Sequence, residues 1–185
     1  MNSARRFSLA ALAAAAACAL PGCRADAPPE AAQRNVFRPA FGFGVDMPGG
    51  WTVRDLDGDV VLEAVAVRRA EPAAGRPRST PVIQVLVIER DAVTLEGWAD
   101  DAIADAQNLD GSLAVVRREP ARLADGRAAL RVDLENPRGV EPQIQRMLLT
   151  LGEGRAYALL ATAAQSQWPG IEEAVARCFG SLVIW

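Results

Sequence analysis

The amino-acid sequence predicts an α+β fold, in which an antiparallel sheet of about six to eight strands carries two main helices as an α/β/α sandwich. Three observations favour this fold class. Segments that alternate apolar and polar residues follow one another, with turn signals such as Asp57-Gly58 between them. Two longer segments repeat apolar residues every three or four positions, as amphipathic helices do. One central segment is apolar almost throughout, which indicates a strand covered on both faces.

The beginning of the chain, residues 1–22, has the composition of an export signal. Arg5 and Arg6 supply positive charge, and residues 7–19 that follow are almost all alanine and leucine. This apolar segment is shorter than the roughly 20 residues that a helix needs to span a bilayer. A positively charged start and a short apolar segment are typical of a signal peptide that is removed after export.

Cys23 follows this segment, directly preceded by Leu20, Pro21 and Gly22. These residues resemble the lipobox of bacterial lipoproteins. The resemblance implies that Cys23 receives a diacylglyceryl group, that cleavage follows Gly22 and that the new amino terminus is acylated with a chain such as palmitate, which together anchor a protein stably. Arg24, rather than an acidic residue, comes next, and in a cell with two membranes this favours the outer one. The alternative is a soluble secreted protein in which the cysteine has no such role.

The rest of the chain is predicted to divide into a lipidated tether at 23–39 and a single domain at 40–185. The tether is rich in proline and alanine and shows neither a helical nor a strand period. We expect it to behave as a flexible coil. The residues from 40 onward are numerous enough for one domain with its own core and too few for two.

Composition excludes several classes of function. Acidic residues outnumber basic ones by 23 to 20, which argues against nucleic acid and an anionic membrane surface as partners. The chain contains no histidine, and all its basic residues are arginine, so a histidine-based triad, a Schiff base and a histidine-ligated metal site are excluded. Cys178 is the thiol that remains once the signal peptide is removed and Cys23 is lipidated. We expect it to be a buried core residue.

The first part of the domain is predicted to form strands. Segment 40–45 alternates aromatic residues with glycine, and segments 51–56 and 59–67 flank an Asp-Gly pair as in a β-hairpin. Aspartates recur here at every second position, at Asp55, Asp57 and Asp59. Calcium ligands have this spacing, but the glycine and the bidentate acid of an EF-hand loop are absent, so we expect a plain turn. Segment 81–89 predicts the central strand.

A first helix is predicted after Thr94, whose hydroxyl can cap it, with Glu96 near its positive end. Its apolar stripe comprises Leu95, Trp98, Ala99, Ala102, Ile103, Ala106 and Leu109. The opposite face carries Asp100, Asp101 and Asp105. Neighbouring carboxylates can serve as acid and base where different environments separate their pKa values, but we expect these three to be simply solvated.

Segment 113–163 is predicted to form a four-stranded antiparallel meander, with turns at Asp125-Gly126 and Glu153-Gly154. A second helix is expected to begin near Ser166 and to precede a short terminal strand at 181–185. Its apolar stripe comprises Trp168, Ile171, Val175, Cys178, Phe179 and Leu182. This stripe would pack on the sheet and bury the cysteine.

Three of these features together resemble a known superfamily. They are the segment Phe43-Gly44-Val45-Asp46-Met47-Pro48-Gly49-Gly50-Trp51, the helix start at 94–98, and the helix that contains Trp168 and closes at Ser181. With the predicted order of elements over 40–185, they are similar to the Mog1/PsbP/DcrB-like superfamily. The resemblance implies a non-enzymatic role, because members include exported lipoproteins, photosystem accessory subunits, GTPase-binding factors, secretion-effector chaperones and immunity proteins. No contact motif of any member occurs here, so no functional residue is carried over.

We therefore expect a membrane-tethered periplasmic protein that binds another envelope protein and needs no cofactor or metal. An immunity or inhibitor protein would be one form of such a module. Arg76 and Arg78, in the proline-rich loop 71–80, and Arg138, in the loop 136–139, are the predicted partner contacts. An enzyme would have to rely on Asp, Glu, Ser, Tyr and Arg side chains, so we expect no catalytic residues.

The alternative function is a carrier of a small apolar or lipidic ligand. In that case Trp51, Trp98 and Trp168 would line a pocket between helix and sheet. Tryptophans at helix stripes and strand starts are more often part of the core, and a cavity too small for a ligand would count against such a pocket.

Overall fold

The computed structural model describes residues 34–67, 79–90, 93–137 and 141–185. The lipobox with Cys23 lies outside these ranges, and so do the predicted contacts Arg76, Arg78 and Arg138. The strands are β1 (Arg34–Arg38), β2 (Phe43–Met47), β3 (Trp51–Asp55), β4 (Val60–Ala66), β5 (Val82–Glu89), β6 (Ala114–Arg122), β7 (Ala128–Asn136), β8 (Gln143–Gly152), β9 (Arg155–Ala164) and β10 (Val183–Ile184). The helices are α1 (Leu95–Leu109) and α2 (Glu172–Gly180).

Seven strands form one antiparallel sheet in the order β3-β4-β5-β9-β8-β7-β6, and β1, β2 and β10 form a small second sheet. The predicted fold class is therefore confirmed. The predicted central strand is β5, and it is covered on both faces. Ile83 and Val85 face the core that α2 closes, whereas Leu86 and Ile88 face the core beneath α1.

Helix α1 packs on one face of the large sheet. The Thr94 hydroxyl accepts a hydrogen bond from the Gly97 amide at 3.1 Å, so the predicted cap is confirmed. Trp98 and Ala106 of the predicted stripe are buried. Leu109 is exposed, which the sequence analysis had wrong. It occupies the last helical position of α1.

The small sheet and α2 cover the opposite face. Strand β1 lies within the range 23–39 that we expected to be an irregular tether, and that expectation is wrong from Arg34 onward. Five residues with one buried side chain, Val36, give too short a pattern to distinguish a strand from a linker. Val36 pairs with Val45 of β2 and contributes to the core.

The second helix begins later than predicted. A 3-10 turn at Trp168–Gly170 comes first, and α2 starts at Glu172, not near Ser166. The backbone of Ile171, with φ −123°, interrupts the helical path between them. Helix α2 still buries Val175 and Cys178 against the sheet, as the apolar stripe predicted. Neither α1 nor α2, the helices of the described chain, is long and apolar enough to cross a membrane.

Candidate functional site

Both arginine-bearing loops start from the same end of the large sheet. Residues 68–78 connect β4 to β5, and residues 138–140 connect β7 to β8, and the pairing of β5 with β9 and of β9 with β8 brings these connections together. The Ser79 amide donates to Glu141 Oε2 at 3.4 Å, which joins the two connections directly. We call the surface around Ser79 and Glu141 the loop end. The predicted contacts Arg76, Arg78 and Arg138 lie outside the described residues, one to three positions in sequence from Ser79 or Glu141.

Exposed apolar side chains lie at the corner where α1 passes into β6. They are Leu109, Val115 and Val116. Strand β6 is an edge strand, and its pairing with β7 shifts register between Val115 and Arg117. The N-terminal end of β6 pairs with the C-terminal end of β7, so this corner adjoins the loop end. Apolar groups on a free sheet edge are a common feature of partner contacts.

A buried carboxylate gathers three arginines on the face of β6, β7 and β8 that α2 leaves open. Asp133 accepts hydrogen bonds from Arg131 at 3.1 and 3.2 Å. The Nε atoms of Arg117 and Arg146 lie 3.7 and 3.6 Å from its Oδ2. We call these four residues the Asp133 network. This network was not predicted from the sequence, although the alternate positions of Arg131 and Asp133 on β7 indicate that they share one face.

Arg146 is the member of the Asp133 network that connects it to α2. Its guanidinium carbon lies 4.4 Å from the centre of the Trp168 ring, and its Nη1 donates to Glu172 at 2.9 Å. Stacking on an aromatic ring and pairing with two carboxylates fix the guanidinium in place. The network therefore presents a preorganised charged surface next to the loop end.

Cys178 lies in the core, as the sequence predicted. Its sulfur is 3.8 Å from the sulfur of Met47, and the residue has no exposed surface. Burial, with a smaller contribution from the charge of Asp46, raises the pKa of the thiol from 9.0 to about 12. The reactive thiolate is therefore absent at neutral pH, and Cys178 is not placed to act as a nucleophile.

The buried thiol predicts a loss of stability in alkali. Below pH 9 the thiol is protonated in both states. As the pH rises from 9.0 towards 12, the unfolded thiol ionises while the folded one keeps its proton, so the free energy of unfolding falls. The chain has no lysine to mask this effect. Denaturant unfolding of the mature protein at pH 8 to 11 should show that the free energy of unfolding declines steeply with pH. In Cys178→Ala this decline should be shallower. Equal slopes would contradict the burial of the thiol.

Asp100 and Asp101 on α1 form ion pairs at the helix surface, whereas we expected these aspartates to be simply solvated. Asp100 accepts from Arg118 at 2.6 Å, and Asp101 pairs with Arg90. Burial and the nearby charge of Asp101 raise the pKa of Asp105 above its usual value. Exposed carboxylates that pair with arginines on a helix surface do not form the acid and base of an active site.

The structure does not bring the three tryptophans into one pocket, as the alternative function would require. Trp98 lies in the core beneath α1, whereas Trp168 lies in the core on the other face, where Trp51 also packs. The sheet separates them. The described chain does contain a polar cleft of about 520 Å³ at the other end of the sheet, lined by Glu89, Arg90, Glu153, Gly154 and Arg155. Its charged lining does not suit an apolar ligand.

No protein-family model matches the chain, and no curated protein matches it in sequence. Solved structures do match in fold. Cyanobacterial PsbP (CyanoP) from Synechocystis sp. PCC 6803 superimposes with a TM-score of 0.62 at 14% identity, over 90% of this chain and 99% of that one. The chain has a Mog1/PsbP-like fold.

Two other structures share this Mog1/PsbP-like fold. LpqN of Mycobacterium tuberculosis, described as involved in cell envelope biogenesis, matches with a TM-score of 0.60 at 14% identity, over 83% of this chain and 90% of that one. The Ran-binding protein Mog1p of Saccharomyces cerevisiae matches with a TM-score of 0.58 at 11% identity, over 83% of this chain and 96% of that one. At such low identity the similarity concerns the fold, and function has to be argued from the surfaces described above.

Proposed function

We propose that this protein is a lipid-anchored protein of the bacterial cell envelope that binds a protein partner through its loop end and catalyses no reaction. The observation that carries the proposal is the hydrogen bond between Ser79 and Glu141, because it joins the connections from which the segments with Arg76, Arg78 and Arg138 start. Arginine is enriched at protein interfaces and is a frequent energetic hot spot.

The envelope location is supported by two independent arguments. The lipobox that ends at Cys23 implies lipid anchoring on the periplasmic side, with the outer membrane favoured where there are two. LpqN, a protein of the same fold, is involved in cell envelope biogenesis. Mog1p binds another protein, Ran, and protein binding is the kind of role we propose here.

The surroundings of the loop end suit a partner with an acidic surface. Exposed apolar side chains at Leu109, Val115 and Val116 can form the dry centre of a contact, and arginines on the loops can form its charged rim. Complementary charge then accelerates association and selects the partner. An inhibitor or immunity protein that covers an acidic site on its target would fit this description.

Replacing Arg76, Arg78 and Arg138 together by alanine should weaken partner binding by about tenfold or more, because truncated interface arginines often cost over 1 kcal/mol each. The measurement is crosslinking and capture with the full-length tagged protein from envelope extract of its source, followed by titration with the identified partner. The matched control replaces three exposed arginines outside the two loops, Arg34, Arg122 and Arg177, and should bind normally.

Unchanged affinity in the loop variant would contradict the proposed contact surface. An equal loss in the control variant would show that binding depends on overall charge, which would also contradict it. Circular dichroism of both variants establishes that each remains folded, so that a loss of binding reports on the contact itself.

A further inference from the structure

Two aromatic side chains stack on each other at the outer surface of the small sheet. The ring centres of Phe37 and Trp185 are 4.5 Å apart with an interplanar angle of 21°. Both are conspicuously exposed, at 57% and 52%, and Val183 beside them is also exposed. We call Phe37, Val183 and Trp185 the aromatic patch. Large aromatic side chains normally occupy a core or an interface, so this exposure requires an explanation.

The aromatic patch is held in place by the small sheet. β1 and β10 flank β2, and a Cβ atom on Gly44 of β2 would lie 3.3 to 3.5 Å from Val183, Trp185 and Phe37. The patch therefore rests directly on the backbone of Gly44. The Trp185 amide donates to the Gly42 carbonyl at 3.1 Å, which fixes the tryptophan further. The rings form a preformed surface and need no ordering when they bind.

The position of the patch relative to the predicted lipid site suggests its occupant. Cys23 is eleven residues before Arg34, the first residue of β1. Eleven residues reach at most roughly 36–40 Å when fully extended, so Cys23 cannot lie further than this from Arg34. Phe37 lies about 10 Å further along β1, at the rise of a β-strand. An acylated Cys23 would therefore keep the aromatic patch within reach of the bilayer surface.

We infer that the aromatic patch docks into the interfacial region of the membrane that holds the lipid anchor. The inference rests on the proposed lipidation of Cys23. Tryptophan and other aromatic rings favour the headgroup level of a bilayer. The exposed part of the two rings, roughly 250 Å², is far below the about 800 Å² per partner of a stable protein interface, whereas a bilayer needs no complementary partner surface. The aromatic rings would supply the attraction, and the net negative charge of the chain should make the docking weaker on an anionic membrane than on a zwitterionic one.

Docking through the patch would also orient the domain. Arg38 beside the patch pairs with Asp55 at the end of β3, and Arg127 donates to the Ile184 carbonyl next to Trp185. These contacts place the patch beside the hairpin turns, at the end of the large sheet opposite the loop end. Strands of eight to ten residues separate the two ends by about 30 Å. The loop end would then face the aqueous space, where a protein partner can reach it.

The test uses the full-length protein purified from membranes and reconstituted into phosphatidylcholine vesicles with brominated acyl chains, which quench tryptophan at the interface. Intact mass first establishes whether Cys23 is acylated. We expect quenching of up to about a quarter of the tryptophan emission, since Trp185 is one of four tryptophans. The quenching should be lost in Trp185→Phe, which keeps the aromatic stack, and retained in Trp51→Phe, which removes a tryptophan at the start of β3.

The outcomes distinguish a failure of the lipid anchor at Cys23 from a failure of membrane docking by the aromatic patch. An acylated protein whose quenching is equal in wild type and Trp185→Phe would overturn the docking and leave the anchor intact. An unmodified Cys23 would overturn the anchor, and the docking with it. A dimer in detergent that Phe37→Ser dissociates would assign the aromatic patch to a second copy of the chain, which would also overturn membrane docking.

Discussion

Replacing Trp98 by alanine should lower the free energy of unfolding by about 3–5 kcal/mol, the usual cost of truncating a fully buried aromatic residue. Trp98 is 2% exposed, and its Nε1–H donates to the backbone carbonyl of Tyr157 at 3.1 Å. The guanidinium of Arg90 lies over its ring at 5.2 Å. Because α1 buries few other side chains completely, this one residue accounts for much of its attachment to the sheet.

Urea unfolding of the mature protein, followed by far-ultraviolet circular dichroism, measures the effect. Trp98→Phe keeps most of the apolar contact but loses the hydrogen bond to Tyr157. We therefore expect it to lower the free energy of unfolding by about 1–2 kcal/mol. Trp185→Ala removes the same side chain from an exposed position and should cost under about 1 kcal/mol. Similar costs at Trp98 and Trp185 would contradict the packing of α1 described above.

The elements with strong local signals could be predicted from the sequence. Helix α1 follows from the Thr94 cap and the apolar period, and the meander follows from turn residues such as Gly126 and Gly154, whose φ values of 85° and 64° favour glycine. The continuous apolar run of β5 predicted a strand covered on both faces. In each case the information lies in neighbouring residues of the chain.

Features that depend on distant contacts could not be predicted. β1 is a strand because β2 pairs with it, and its own five residues carry one apolar inward position. A shared pocket for the tryptophans stayed open as an alternative because the sequence does not reveal which face of the sheet each helix covers. The aromatic patch joins Phe37 and Trp185 from opposite ends of the described chain, so no local pattern could indicate it.

The Asp133 network was missed for a related reason. Alternation along β7 places Arg131 and Asp133 on one face, and an alternating polar face normally indicates exposure to solvent. The structure instead buries Asp133, because Arg117 from β6 and Arg146 from β8 close over it. The register of three strands decides this arrangement, and the register depends on pairing across the whole sheet.

Replacing Asp133 by asparagine should lower the free energy of unfolding by about 2–3 kcal/mol. Removing one partner of a buried ion pair typically costs 3–5 kcal/mol, and we expect less here because solvent screens Arg117, whose side chain is 51% exposed. Asparagine has nearly the same shape but no charge, so three guanidinium groups would converge on a neutral amide. Urea unfolding at low and at physiological ionic strength measures the loss. Salt should reduce it, since screening weakens the repulsion between the arginines.

Glu119→Gln is the matched control for this change. Glu119 lies on the same face and pairs with Arg117 at 3.6 Å, but its side chain is 47% exposed, so we expect a cost of about 0.2–1 kcal/mol. If Asp133→Asn cost no more than Glu119→Gln, the three arginines would be independently solvated and the Asp133 network would not be preorganised. If Asp133→Asn lowers the free energy of unfolding by more than Glu119→Gln, it should also weaken partner binding. The arginines of the Asp133 network would then no longer be fixed relative to the loop end.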